Sequence, residues 1–247
     1  MHDAYKKVFV AGASGVIGRR LSQLLIEDGY TVFGSTRFPE KTQQLEDIGV
    51  SPVIVDVFDE AELHHSLCKI RPAIVIQQLT DLPPGLDPVQ MPEARLRNAK
   101  LREIGTRNLV AAAVAAMARR MIVQSIAFAY APGPHPHRED APLHLEDEKL
   151  ALTTQAVAEM EHQVSHAPLE GVILRYGKLY GPDTGFEQPD FTTPVHIDAA
   201  ADAARRAVCK GDTGIYNIAE DDGTVCSRKA QSELGWQASF RMSPRLG

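Results

Sequence analysis

Cysteine is scarce in this chain. Cys68, Cys209 and Cys226 stand far apart, and none has a partner at metal-ligating spacing. An odd, scattered set of thiols suits a reducing compartment rather than a disulfide-stapled one. Positive charge is not in excess: 26 Lys and Arg face 32 Asp and Glu, for a net charge of −6. With no basic run to compensate, a nucleic-acid surface is argued against. Arg119-Arg120 and Arg205-Arg206 are pairs, read as solvated faces or helix ends. No apolar run approaches the roughly 20 residues that a membrane span needs. Met1-His2-Asp3 leads almost directly into an apolar run, which leaves no room for a signal peptide and predicts a cytoplasmic protein. What remains is ordinary globular composition, 44% hydrophobic over 247 residues. That is enough chain for one large core, or a core with a small lobe.

The stretch Lys7 to Leu25 organises the rest. Val8-Phe9-Val10-Ala11 is short enough for a buried strand, and Leu21, Leu24 and Leu25 fall at helical spacing. Between them lies Gly12-Ala13-Ser14-Gly15-Val16-Ile17-Gly18. A glycine turn between strand and helix is the setting in which such a fingerprint binds a dinucleotide. Gly12 permits the tight turn, Gly15 lets a pyrophosphate approach the backbone, and Gly18 lets the helix pack on the strand. Free amide groups at the helix start, around Ser14, Val16 and Ile17, supply positive potential for the phosphates.

Further strands are expected at Thr31–Ser35, Pro52–Asp56, Ala73–Ile76, Met121–Ser125, Val172–Arg175 and Gly214–Ile218. Helices are expected at Gln43–Ile48, Glu60–Ile70, Glu93–Arg119, Glu148–Ser165, Asp198–Cys209 and, last and short, Ser227–Leu234. Ala131–Pro142 and Pro182–Pro194 read as loops. Strand and helix alternate at a rhythm that implies right-handed crossovers and a parallel sheet. The fold class is therefore α/β: a doubly wound, Rossmann-type parallel sheet. One domain spans residues 1–247, with 182–247 as a reduced C-terminal lobe.

The residues after the second strand select the dinucleotide. An NAD site places Asp or Glu there for the ribose 2′-hydroxyl. This chain has Ser35-Thr36-Arg37, and no acid until Glu40. A hydroxyl and a guanidinium complement a 2′-phosphate, so NADP is favoured over NAD. Asp56-Val57 ends the third strand, where the carboxylate either accepts the adenine amino group or caps the following helix. Gln77-Gln78-Leu79-Thr80 ends the fourth strand, at the sheet edge where ligands of open α/β folds bind. Gln78, Leu79 and Thr80 are read as cofactor contacts.

Taken in order, these motifs resemble the extended or atypical short-chain dehydrogenases/reductases, of the NAD-dependent epimerase/dehydratase type. The resemblance covers nearly the whole chain. It rests on Gly12–Gly18, Gly105-Thr106-Arg107-Asn108-Leu109, Ser125–Tyr130, Leu174-Arg175-Tyr176-Gly177, Tyr180-Gly181-Pro182, Val195-His196-Ile197-Asp198, Gly214–Ile218 and Leu234-Gly235-Trp236. It implies that Arg175 lies against the nicotinamide end of the cofactor, that Tyr176 and Tyr180 wall the pocket, and that His196 and Asp198 are scaffold. It also implies a homodimer formed through the two long helices that begin near Glu93 and Glu148.

One departure stands out. The family's general acid is a Tyr followed four residues later by Lys, at the start of the helix before the sixth strand. Here that helix reads Leu150-Ala151-Leu152-Thr153-Thr154-Gln155-Ala156, and Lys149 is in the wrong register. Ser125 remains at or one step from the family's Ser position, and Tyr130 follows five residues on. These two are the candidate catalytic residues. His135, His137 and His144, with Glu139 and Asp140, share a proline-rich loop that reads as a lid over the cofactor; a metal site is not expected. The shortness of 182–195 leaves few walls for a bulky nucleotide-sugar and implies a small-molecule substrate, or a site completed at a subunit interface. Three functions stay open: an NADP-dependent oxidoreductase with non-standard acid/base groups, a catalytically silent cofactor sensor, and an isomerase or dehydratase that keeps its cofactor.

Overall fold

The apolar runs pair side by side in one sheet. The computed structural model describes residues 6–147 and 149–243. In chain order its strands are β1 (Lys7–Ala11), β2 (Thr31–Thr36), β3 (Ser51–Ile54), β4 (Ile74–Gln77), β5 (Arg120–Ile126), β6 (Glu170–Tyr176), β7 (Lys178–Tyr180), β8 (Pro194–His196) and β9 (Gly214–Ile218). The helices are α1 (Val16–Glu27), α2 (Thr42–Glu46), α3 (Glu60–Ile70), α4 (Met91–Lys100), α5 (Thr106–Ala115), α6 (Ala151–Ser165) and α7 (Ile197–Ala207). Seven parallel strands lie in the order β3-β2-β1-β4-β5-β6-β9, and β7 and β8 form a separate pair. The order reverses between β1 and β4, the switch point at which open α/β sheets bind ligands.

Both faces of the sheet are covered, as parallel sheets require. Strand periodicity sends Val8 and Val10 toward Leu21 and Leu25 of α1 and the alanines of α7. Phe9 and Ala11 point the other way, into Leu63 and Leu67 of α3 and Leu109 and Ala113 of α5. The buried alanines of α7, from Ala199 to Ala207, let that helix lie close against α1. Beneath it Trp236, 1% exposed, donates its indole N–H to Ala199 O at 2.8 Å.

Several boundaries differ from expectation. The helix expected over Glu93–Arg119 is α4 and α5 joined by a π-helical turn at Leu101–Gly105. It stops early because Met117 adopts φ +60°, with Met117 N donating to Val114 O and Ala118 N to Ala113 O. That is a Schellman ending with Met in place of the usual glycine, so no glycine announces it. Arg120 is 5% exposed rather than solvated: its guanidinium donates to Ala207 O at 2.9 Å and ties down the end of α7. The strands β7 and β8 flank the stretch expected as loop. Beyond residue 182, α7 and β9 join the main layers themselves.

Candidate active site and cofactor cleft

The carboxyl ends of β1 to β4 open into a cleft lined by Gly12, Ser14, Gly15, Thr36, Arg37, Phe38, Lys41, Asp56, Val57, Gln78, Leu79 and Thr80, among others. It therefore gathers most residues expected to hold the cofactor. Val16, Ile17 and Gly18 stand behind it in the first turn of α1. That helix begins with no side-chain cap, which leaves its first amide groups for a ligand. Two glycines are dictated by space. Gly12 has φ +84°, and a Cβ there would meet Gln78 O at 2.7 Å. At Gly18 a Cβ would meet Gly12 O at 2.1 Å. Gln78 adds a buried side-chain oxygen without a hydrogen-bond partner. A backbone cradle with an unsatisfied acceptor beside it fits a dinucleotide.

The rim beyond β2 carries the positive charge. Arg37 stacks on the Phe38 ring at 4.9 Å, and Lys41 Nζ lies 4.8 Å from the same ring. Asp81 pairs with Arg37 at 3.4 Å, but it is shared with Arg97 at 3.5 Å. Glu93 also reaches Arg97, at 3.9 Å, so two carboxylates face two guanidiniums and the Lys41 ammonium, which leaves the rim cationic. Lys41 and Phe38 escaped the sequence reading because they lie past the strand, where only the loop's path brings them back. The Thr36 hydroxyl accepts from Phe38 N at 3.1 Å and shapes that path. Asp56 closes its own turn by accepting from Phe58 N at 2.9 Å, while Asp59 caps α3 by accepting from Glu62 N at 3.0 Å.

The second half of the candidate site is a buried network. Ser125, fully buried, donates to Glu161 Oε1 at 2.6 Å. Arg175 reaches both oxygens of that carboxylate, at 2.8 and 2.6 Å. Its guanidinium also donates to Tyr130 Oη at 2.9 Å and to Glu139 O at 3.2 Å. Tyr130 in turn donates to Asn217 Oδ1 at 2.6 Å. Burial opposes the Arg175 charge, but the bonds from Glu161 outweigh it and hold the group above the ordinary guanidinium range. Burial raises the Tyr130 phenol, against the lowering pull of Arg175. Nearby, burial lowers Arg102 to about 10 despite the attraction of Glu161.

Ser125, Tyr130 and Arg175 are thus brought together, but with one another rather than on the cleft wall. Sequence reasoning missed Glu161 and Asn217 as site residues, and took Glu139 only as an acid of the proline-rich loop. Glu161 falls four residues after Val157 and three before Val164, on the apolar face of α6, and a carboxylate at that spacing was the available signal. The proline-rich loop is fastened rather than lid-like. Tyr130 bridges to Leu143, His137 N donates to Thr224 O, and Cys226 N donates to His137 O. The His137 ring stacks on Tyr130 at 5.1 Å and is 9% exposed. His196 accepts from Asp198 N at 3.2 Å, and Asp198 pairs with Arg20 at 3.0 Å, joining α7 to α1.

Comparison with known proteins agrees with this geometry. A family model described as NAD(P)H-binding matches residues 12–209. A 3-diazoavenalumate denitrifying reductase from a Streptomyces species is 38% identical over 238 residues, covering 87% of this chain and 76% of its own. Among solved structures, UDP-glucose 4-epimerase from Thermotoga maritima with UDP-glucose superposes with TM-score 0.76 at 19% identity, over 95% of this chain and 94% of that one. The Thermus thermophilus UDP-glucose 4-epimerase complex with NAD gives 0.76 at 18% identity, over 96% and 95%. The chain belongs to the NAD(P)H-binding family and shares the fold of the epimerase/dehydratase type of short-chain dehydrogenase/reductase.

Proposed function

We propose that this protein is an NADPH-dependent reductase that reduces a small, electron-poor acceptor. One observation carries the reading: the rim beyond β2 offers Arg37 and Lys41 where an NAD-selective site offers a carboxylate. The turn Gly12–Gly18 seats the pyrophosphate, with Ser14, Val16 and Ile17 supplying amides. Arg37, Lys41 and Thr36 take the 2′-phosphate. Asp56 and Val57 border the adenine, and Gln78, Leu79 and Thr80 border the chain's path toward the nicotinamide.

The choice of acceptor follows from the network. A carbonyl acceptor needs a proton on oxygen as hydride reaches carbon. The hydroxyls of Ser125 and Tyr130 already donate, to Glu161 and Asn217. Ser125, Tyr130 and Arg175 are better read as positioning residues that brace the ends of β5, β6 and β9. The Streptomyces relative is by name a denitrifying reductase of a diazo compound. With NADPH as hydride source, a diazonium acceptor gains a C–H bond as its C–N bond breaks, the bonding pair leaving with N2, so no proton donor is called for. Exposed Leu96 on α4, Val114 on α5 and Leu152 on α6 supply apolar surface for a homodimer.

Two measurements test this. Arg37→Ala and Lys41→Ala should each weaken NADPH binding about tenfold, the loss of one charged contact to phosphate, and leave NADH nearly unchanged. Equal losses for both cofactors overturn the 2′-phosphate assignment. In a turnover panel, arenediazonium salts should oxidise NADPH with release of N2. Oxidation by carbonyls alone overturns the acceptor class, and oxidation by neither overturns the reductase in favour of a binding protein that senses cofactor.

A further inference from the structure

The carboxyl ends of β5 and β6 carry a cation that no described side chain neutralises. Ile126 and Tyr176 are paired across these strands, and Phe128 and Lys178 follow two residues beyond each. Lys178 Nζ lies 5.9 Å from the Phe128 ring centre and 5.7 Å from that of Phe191. Phe191 meets Phe186 edge-to-face at 5.7 Å. Lys178, Phe186 and Phe191 are half-buried and Phe128 is exposed at 36%, so each keeps surface that a ligand can reach.

Comparison with the other half-buried lysines sharpens the point. Lys7 donates to Ile70 O at 3.2 Å, and Lys229 to Ile215 O at 2.9 Å. Lys178, like Lys41, has only aromatic rings around its ammonium among the described residues. Lys41 stands beside β2 and Lys178 beyond β6, on opposite sides of the switch point. If the adenosine half of the cofactor takes the first, the reacting half and its acceptor face the second. Rings at this distance hold an ammonium in place without discharging it. The remaining charge then favours an anion, and a carboxylate makes the short, charge-assisted bond. Phenylalanine faces favour a flat ring over an aliphatic body.

We propose that Lys178, Phe128, Phe186 and Phe191 form the acceptor site, and that it takes a planar aromatic carboxylate. This rests on the reductase reading and adds the substrate class to it. The test is calorimetric binding to the full chain saturated with NADP+, using trans-cinnamate as probe and neutral trans-cinnamamide as its matched control. Lys178→Met should weaken cinnamate at least about tenfold and leave cinnamamide unchanged. Lys178→Arg should restore most of the cinnamate affinity, and Phe191→Ala should weaken both probes. Cinnamate binding equally to Lys178→Met and wild type overturns the proposal, as does a wild type that binds cinnamamide as well as cinnamate, or neither probe. NADP+ affinity should stay constant across these variants. The proposal can therefore fail while the cofactor and turnover measurements above still stand.

Discussion

Glu161→Gln is the change that isolates the buried network. The carboxylate is 6% exposed and Arg175 is 3% exposed, with two hydrogen bonds of 2.8 and 2.6 Å between them. A neutral amide keeps one acceptor oxygen but removes the counter-charge, leaving the guanidinium buried among Tyr130 Oη, Glu139 O and the amide oxygen, all of them neutral. Breaking a buried pair from one side costs about 3–5 kcal/mol. In a chain of this size that lowers the midpoint by roughly 6–20 °C. Ser125→Ala removes only a neutral donor to the same carboxylate, at about 0.5–1.5 kcal/mol. Replacing both partners, Glu161→Leu with Arg175→Met, should lose less than Glu161→Leu alone, because Arg175 is then not left as an orphan charge, while the loss at Arg102 is common to both variants. Differential scanning calorimetry reads all four variants. A shift under about 2 °C for Glu161→Gln would falsify the claim that this carboxylate is the counter-charge of Arg175. If Ser125→Ala instead kept its stability and lost turnover, the hydroxyl would be catalytic and its bond to Glu161 incidental.

Two further outcomes follow from the geometry. Gly18→Ala pushes a methyl into Gly12 O and the Ala13 backbone, so α1 must move off the strand. We expect a loss of about 1–3 kcal/mol in urea unfolding, together with loss of NADPH binding by fluorescence; unaltered cofactor affinity would show that the turn does not set the phosphate site. The pH dependence of stability tests His137, whose imidazole is lowered first by burial and then by His135. With the folded value below the unfolded one, the unfolded chain binds the proton first, so stability falls as pH drops below about 6.5. His137→Phe keeps a ring against Tyr130 and should flatten that fall. An unchanged slope assigns the titration to other groups, such as His196, which burial also lowers.

The frame of this protein was legible because its signals are local. Val8 to Ala11, Gly12 to Gly18 and the leucines of α1 sit within one short stretch, and each of the other sheet strands is a compact apolar run. Boundaries failed where the stop was not written in glycine or proline, as at Met117. The cofactor rim was half legible: Arg37 follows its strand directly, whereas Lys41 returns to the cleft only through the bend after Phe38. The network was hidden for a different reason. Ser125, Glu161, Arg175 and Asn217 come from four elements, and no period links a polar residue on a helix to one on a strand. Ser125 and Tyr130 were recognised as polar groups at the right edge, but what they bond to depends on partners up to 87 residues away.

The chain's single tryptophan gives these experiments a built-in reporter. Trp236 is sealed against α7 and hydrogen-bonded to its first turn, and α7 leans on α1, the helix whose start we propose as the phosphate seat. Its emission therefore comes from one dry environment while that face is intact, and shifts to the red when it opens. Reduced nicotinamide absorbs where indole emits, so NADPH should dim the signal by energy transfer whereas NADP+ should not. A single titration can then follow docking of the reduced cofactor, its oxidation and the integrity of the α1–α7 layer, without an attached dye.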